Sequence, residues 1–369
     1  MPGPADRRCE LAHDRGTTQL AVVETRTDIA GELRDWVAGR DLFVVSSTEV
    51  WALHGDATLG ALAPEASSWH KLEVPDGEDA KTLAVASELW QEMLASGARR
   101  DSLVLTFGGG SVCDLGAFVA ATFMRGVEFC HVPTTLLAQV DAAIGGKSAV
   151  NLPAAKNVVG VFQHPARVVA ATGLLATLPD REIRSGLVET LKVAALLDIS
   201  LFETLEANLD ALLSDRSNVA WPGVVAAAQR AKAGVVTRDP REAGERRVLN
   251  FGHTLGHALE TTLGYGALTH GEAVAFGIYF ALQLAASRGL DRGFRLRLES
   301  LLDRLELPAF PRPSIDSVLS ALQRDKKAGP KGVVWVLPTS AGSWEAVALP
   351  PELVATELAS FIAQRRAAC

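Results

Sequence analysis

Cysteine is sparse in this chain. Cys9, Cys113, Cys130 and Cys369 are scattered, with no short paired spacing, so neither a disulfide framework nor a Cys-x-x-Cys metal or redox motif is encoded. An excess of positive charge is missing too. The 36 Lys and Arg against 43 Asp and Glu leave a net charge of −7 and a pI near 5.7. That balance argues against a nucleic-acid partner, while a local basic pocket could still gather a small anion. No apolar run reaches membrane-spanning length; Ala273–Ala286 is short, sits beside charged residues, and reads as a buried helix, so no membrane partner is expected. The opening Met1-Pro-Gly-Pro-Ala-Asp-Arg-Arg8 lacks the apolar core of a signal peptide, and a reducing cytoplasm is the expected location. Internal repeats and low-complexity segments are absent. What is present, 48% hydrophobic and 21% charged residues over 369, describes a globular chain long enough for two cores.

The first half alternates strand-like and helix-like segments: Asp41–Ser46 as a strand, Thr82–Ser96 as a helix, Ser102–Phe107 as a strand. That rhythm predicts a parallel sheet. After about Thr177 it gives way to Ala/Leu-rich helical patterns punctuated by Pro179, Pro222, Pro240 and the Pro308–Pro313 cluster, with Val333–Pro338 as a late strand or short hairpin. The expected fold is α/β, with an N-terminal Rossmann-like parallel-sheet domain over residues 1–178 and a mainly α-helical domain over 179–369.

Three histidines stand where one cation could gather them. His253 and His257 are four apart in Leu249-Asn-Phe-Gly-His-Thr-Leu-Gly-His-Ala-Leu-Glu260, and His270-Gly-Glu272 follows; on a helix the first two share a face. Such a pair alone is more often hydrogen-bonded than metal-bound. Thr254 occupies the position where a His-Glu-x-x-His peptidase needs its general base, which disfavours that chemistry. An upstream carboxylate, with Glu189 the best candidate, would complete a three-ligand site with an open position.

Phe107-Gly-Gly-Gly-Ser-Val-Cys-Asp114 follows a strand and opens a helical stretch. It is either a tight turn or a place where glycines let backbone N–H groups approach a pyrophosphate, and it is not Gly-x-Gly-x-x-Gly. Asp114 falls in the helix's first turn, as a cap or a ribose ligand. Gly145-Gly-Lys147-Ser lacks full Walker spacing, so an NTPase reading is poor. Arg125, Lys147 and Lys156 lie beside glycine turns, which favours an anion pocket over solvated charges.

Taken together the chain resembles the 3-dehydroquinate synthase family of sugar phosphate cyclases. The likeness runs in order through Pro75–Lys81, Gly108–Gly110, Met124-Arg-Gly126, Pro133-Thr-Thr135, Asp141–Lys147, Lys156-Asn157, Glu189-x-x-Lys192, Lys232, Arg246, Asn250–His257, His270-Gly-Glu272 and Arg324–Lys327. The resemblance implies that Glu189, His253 and His270 bind a divalent metal, zinc or cobalt. It implies an NAD site of Glu78, Lys81, Gly108, Gly109, Gly110, Asp114, Thr134, Thr135, Asp141, Lys156 and Thr177. The catalytic and substrate-binding set would be Arg125, Lys147, Asn157, Lys192, Lys232, Arg246, Asn250, His257 and one of Lys326 or Lys327, with Asp141 shared. Arg125 is expected to reach across a homodimer interface.

The implied substrate is a small molecule, a phosphorylated seven-carbon keto acid. Its transient oxidation by NAD acidifies a neighbouring hydrogen, phosphate leaves by β-elimination, hydride returns, and an intramolecular aldol closes the ring. Alternatives are another cyclase, acting on sedoheptulose 7-phosphate or glucose 6-phosphate, and a metal-dependent polyol dehydrogenase. Asn250 and Asp325-Lys-Lys327 resemble the dehydroquinate enzymes more than the secondary-metabolic cyclases. Two departures stand out: Ser46-Ser-Thr-Glu49 replaces an Asp-x-Asn-like segment, so the ribose carboxylate there is missing or supplied by Glu49. Cys113 takes a place where glycine is common.

Overall fold

The structure is a computed structural model that describes residues 7–153, 155–264, 266–311, 313–324, 328–329 and 332–367. The chain forms two compact units: one up to Pro179 together with Ser214–Arg241, the other Asp180–Leu213 with the chain from Glu242 onward.

The first unit contains β1 (Arg8–His13), β2 (Gly16–Val23), α1 (Ile29–Val37), β3 (Asp41–Ser47), α2 (Thr48–Leu59), β4 (Ser68–Val74), α3 (Leu83–Ala95), β5 (Leu103–Gly108), α4 (Gly110–Thr122), β6 (Glu128–Pro133), β7 (Lys147–Leu152), β8 (Ala155–Phe162) and β9 (Arg167–Ala171). Seven strands form one sheet in the order β1-β2-β9-β6-β5-β3-β4, parallel except for the β1–β2 hairpin. Because β3 is followed outward by β4 while β5 returns to its other side, the strand order reverses between β3 and β5. In folds of this kind such a reversal marks where nucleotide ligands bind, beyond the carboxyl ends of the strands. The glycine turn sits there, straight after β5.

β3 is apolar on both faces because both are covered. Leu42 and Val44 pack with Leu33, Trp36, Leu105 and Phe107, whereas Phe43 and Val45 pack with Leu72, Val104, Leu115 and Phe118. At the sheet's far edge β4 turns Lys71 and Glu73 outward, joined by a 2.6 Å ion pair, with the Lys71 ammonium over the Trp51 ring. Thr82 caps α3 by accepting from the Val85 N–H at 3.1 Å.

The second unit begins with α5 (Asp180–Leu197) and α6 (Ile199–Ser214). The chain then returns to the first unit for α7 (Trp221–Arg238), whose Ala233 and Val236 pack with Leu11 of β1 and Leu20 of β2. It resumes with α8 (His253–Leu263), α9 (His270–Ala286), α10 (Arg292–Asp303), α11 (Ile315–Arg324), the strands β10 (Ala328–Gly329), β11 (Gly332–Ser340) and β12 (Ser343–Leu349), and α12 (Pro351–Ala367). The expected late strand is thus β11, in a hairpin with β12. Among the described residues no helix is long and apolar enough to cross a membrane.

Two glycines bring α9 against its neighbours. A methyl group on Gly277 would lie 1.7 Å from the Gly252 carbonyl oxygen, and one on Gly271 would lie 2.3 Å from that of Ser185. Only hydrogen fits at either contact.

Candidate active site

In the second unit, three helices each deliver one donor. Glu189 lies in the middle of α5, 1% exposed, while His253 and His270 are the first residues of α8 and α9. Glu189 Oε1 is 3.7 Å from His253 Nε2 and 3.5 Å from His270 Nε2, and the three donor atoms all lie within 4.8 Å of one another. His253 Nδ1 is 3.1 Å from the Phe251 carbonyl; a carbonyl only accepts, so the proton sits on Nδ1 and Nε2 keeps its lone pair for a cation. Lys192, 2% exposed, forms an ion pair with Glu189 Oε2. Burial works against a charged His270, but its hydrogen bonds to Glu189 and Glu260 outweigh that and raise its pKa to about 10. His257 is exposed, with its ring edge-on to His253 at 5.2 Å.

The start of α9 is fixed by capping. Thr269 precedes α9 and accepts from the Glu272 N–H at 3.3 Å, and Glu272 answers by accepting from the Thr269 N–H at 2.8 Å. Arg181 clamps the same carboxylate through two 2.7 Å bonds. Arg246 is buried in a short turn, Glu245–Asn250, and Asn250 Nδ2 donates to Glu242 at 2.5 Å. Glu242 has a left-handed backbone, φ 59°.

A second constellation belongs to the first unit. The buried Lys81 ammonium donates to Asp114 at 2.6 Å and to Asn157 at 2.7 Å. Glu78 accepts from Asn151 at 2.7 Å and Ser111 at 3.1 Å, with Lys156 at 3.4 Å. Burial would raise the Glu78 carboxyl, but Lys81 and these donors prevail and hold it below the ordinary range. Burial raises Asp114, with Lys81 opposing. Asp114 is the fifth residue of α4, so it lies just past the expected first turn and does not cap the helix; Lys81 takes its carboxylate instead.

Gly109 caps α4 and Gly110 begins it. Methyl groups on Gly109 and Gly110 would lie 3.1 Å from Thr135 and 3.2 Å from Ala142, so the backbone runs close beneath Thr135. The Thr134 N–H donates to the Gly108 carbonyl at 2.9 Å. Asp141 lies in a π-helical turn, Ala138–Ala142, where Lys232 from α7 donates to its backbone oxygen and its carboxylate, both at 2.7 Å. Lys147 opens β7 and is exposed. Thr177 shares a 2.7 Å hydrogen bond with His54. Arg125 is exposed between Met124 and Gly126, all three at positive φ. Where a β3 carboxylate was expected to be missing or replaced, Glu49 uses its backbone N–H to bind Asp76 at 3.3 Å, and Thr48 donates to Glu73 at 2.7 Å. Lys326 and Lys327 lie outside the described residues.

Residue reading alone passed over Glu242, Glu260 and Arg181. Glu260 was within reach, since it continues the helical spacing of His253 and His257.

The model of the 3-dehydroquinate synthase N-terminal region matches residues 71–185, and that of the C-terminal region matches residues 186–328. A 3-dehydroquinate synthase of Geobacter metallireducens is 42% identical over 321 residues, 86% of this chain and 88% of the relative. Among solved structures, a 2-epi-5-epi-valiolone synthase of Streptomyces hygroscopicus subsp. jinggangensis, with NAD+ and Zn2+ bound, superposes with a TM-score of 0.87 at 27% identity, covering 96% of this chain and 99% of that one. A 2-deoxy-scyllo-inosose synthase shares the fold, with a TM-score of 0.83 at 24% identity and the same coverage.

Proposed function

The chain belongs to the 3-dehydroquinate synthase family, and from that premise we propose that it converts 3-deoxy-D-arabino-heptulosonate 7-phosphate to 3-dehydroquinate and phosphate. It is an enzyme of the lyase class. The observation that carries the reading is the convergence of Glu189, His253 and His270 from three helices in a chain 42% identical to a 3-dehydroquinate synthase. Two imidazole nitrogens and one buried carboxylate fit zinc or cobalt with one position open for substrate. The glycine turn and the Glu78, Lys81, Asp114, Thr134, Thr135, Asp141, Lys156 and Thr177 set would hold NAD; the NAD+ and Zn2+ of the valiolone synthase support both assignments.

When bound, the cation supplies Lewis acidity at the reacting hydroxyl, and NAD accepts a hydride that it returns within the same turnover. The chain's own residues bind, orient and move protons. Lys147, Arg246 and Asn157 offer donors to carboxylate and phosphate. Lys192 balances the charge of Glu189, Glu242 fixes Asn250, and Lys232 fixes Asp141. His257, exposed beside the ligands, is placed to carry a proton. The division of labour proposed is NAD binding by residues 1–178 and metal and substrate binding by 179–369, with Lys232 acting through Asp141. A cytoplasmic homodimer with Arg125 serving the partner completes the reading.

Incubating the protein with the seven-carbon keto acid phosphate, NAD and zinc should release phosphate and yield the carbocycle with no progressive NADH absorbance. NADH rising in step with product would mark a dehydrogenase. Faster cyclisation of sedoheptulose 7-phosphate would point to a cyclase of the valiolone type.

A further inference from the structure

His270 stands between two carboxylates. Its Nε2 is 3.5 Å from Glu189 Oε1, and its Nδ1 is 3.4 Å from Glu260 Oε1 on the other side of the ring. Glu260 follows His253 by seven residues and His257 by three on α8, so helix geometry turns its side chain to the same face. That side chain is only 18% exposed, which limits solvent screening of its charge. His253 has a neutral acceptor behind it, the Phe251 carbonyl, whereas His270 has a full negative charge.

We infer that Glu260 is a positioning residue of the metal centre: by accepting the Nδ1 proton of His270 it fixes the tautomer and ring plane that present Nε2 to the cation. The inference rests on the proposed Glu189–His253–His270 metal site. A carboxylate behind a ligating imidazole also strengthens the nitrogen as a donor, and loss of such a partner typically lowers metal affinity by about 10- to 100-fold. His257, Glu260 and His270 also bring donor atoms within 4.8 Å of one another, so direct ligation by Glu260 is the rival outcome. The shared His270 ring disfavours it, since Nε2 already faces Glu189.

The test measures zinc affinity by competition with a chromophoric chelator, zinc stoichiometry by equilibrium dialysis, and the visible spectrum of the cobalt-loaded protein. The proteins compared are wild type, Glu260→Gln, Glu260→Ala and Glu189→Ala. Wild type and Glu260→Ala should each bind one ion per chain, with the alanine protein about 10- to 100-fold weaker and its cobalt bands shifted. Glu260→Gln, which keeps an acceptor oxygen, should recover part of the affinity. If either variant unfolds without metal, as judged by circular dichroism, the other carries the comparison. Unchanged affinity and spectrum in Glu260→Ala would overturn the inference. So would two ions in wild type with one in Glu260→Ala, which would make Glu260 a ligand. Undiminished zinc binding in Glu189→Ala would instead overturn the metal site itself, and the inference with it.

Discussion

Burial drives the His131 imidazole down to about 3 from 6.5, because no carboxylate compensates for the lost water; its one short hydrogen bond is the 2.6 Å contact with Thr106. As pH falls below 6.5 the unfolded chain takes the proton first. The contribution is therefore intact above pH 6.5 and is lost progressively toward pH 3, at about 1.4 kcal/mol per pH unit. In urea unfolding, His131→Gln should lose less stability than wild type between pH 7 and pH 4.5, by about 2–3 kcal/mol. Equal losses would mean that the ring is charged in the fold. Single residues were unevenly legible in the sequence. The His253, His257, Glu260 spacing is local and could be read directly, whereas the Lys81 contacts with Asp114 and Asn157 span 33 and 76 residues, and no local pattern encodes them. Family resemblance grouped Lys81 with Asp114 as NAD-site residues and set Asn157 apart in the substrate pocket; the contacts themselves came only with the fold. Glu242 escaped because its contact with Asn250 depends on a left-handed backbone turn.

Helix α9 reaches its neighbours through two absent side chains. With the Gly252 carbonyl 1.7 Å from where a Gly277 methyl would sit, Gly277→Ala must push α9 away from the segment that begins α8, and His270 rides on α9. Overpacking typically costs about 1–3 kcal/mol, so the variant should unfold at lower urea and bind zinc more weakly. Gly31→Ala, which meets nothing within 4 Å, serves as the control; equal effects from the two would remove packing as the cause. Elements with clear periodicity were legible: β3, α3, β5 and the first strand of the β11–β12 hairpin all begin within one residue of their expected starts. The β7–β8 hairpin was not, because β8 buries neither face fully and carries Val158 and Phe162 on one face with Val159 and Val161 on the other, so its sequence has no apolar–polar alternation to read. The π-helical turn around Asp141 has no periodic signature either.

Across the whole chain, the α/β rhythm and the change to helices after Thr177 were visible in composition. The return of α7 to the first unit was not. Its Ala/Val-rich sequence looks like that of its helical neighbours, and only its packing on β1 and β2 assigns it. A parallel sheet also has to end somewhere, and here one end is β4, whose outer backbone groups have no strand to pair with among the described residues. Lys71 and Glu73 stand on that strand as charges which a second strand could add beside only by giving up their hydration. They are a safeguard against aggregation. Replacing both with valine would leave Trp69-His-Val-Leu-Val-Val74, an uncharged β-prone segment on an open edge. The double variant should melt within a few degrees of wild type yet scatter light increasingly with concentration; clear solutions at high concentration would show that the edge is already protected by other means.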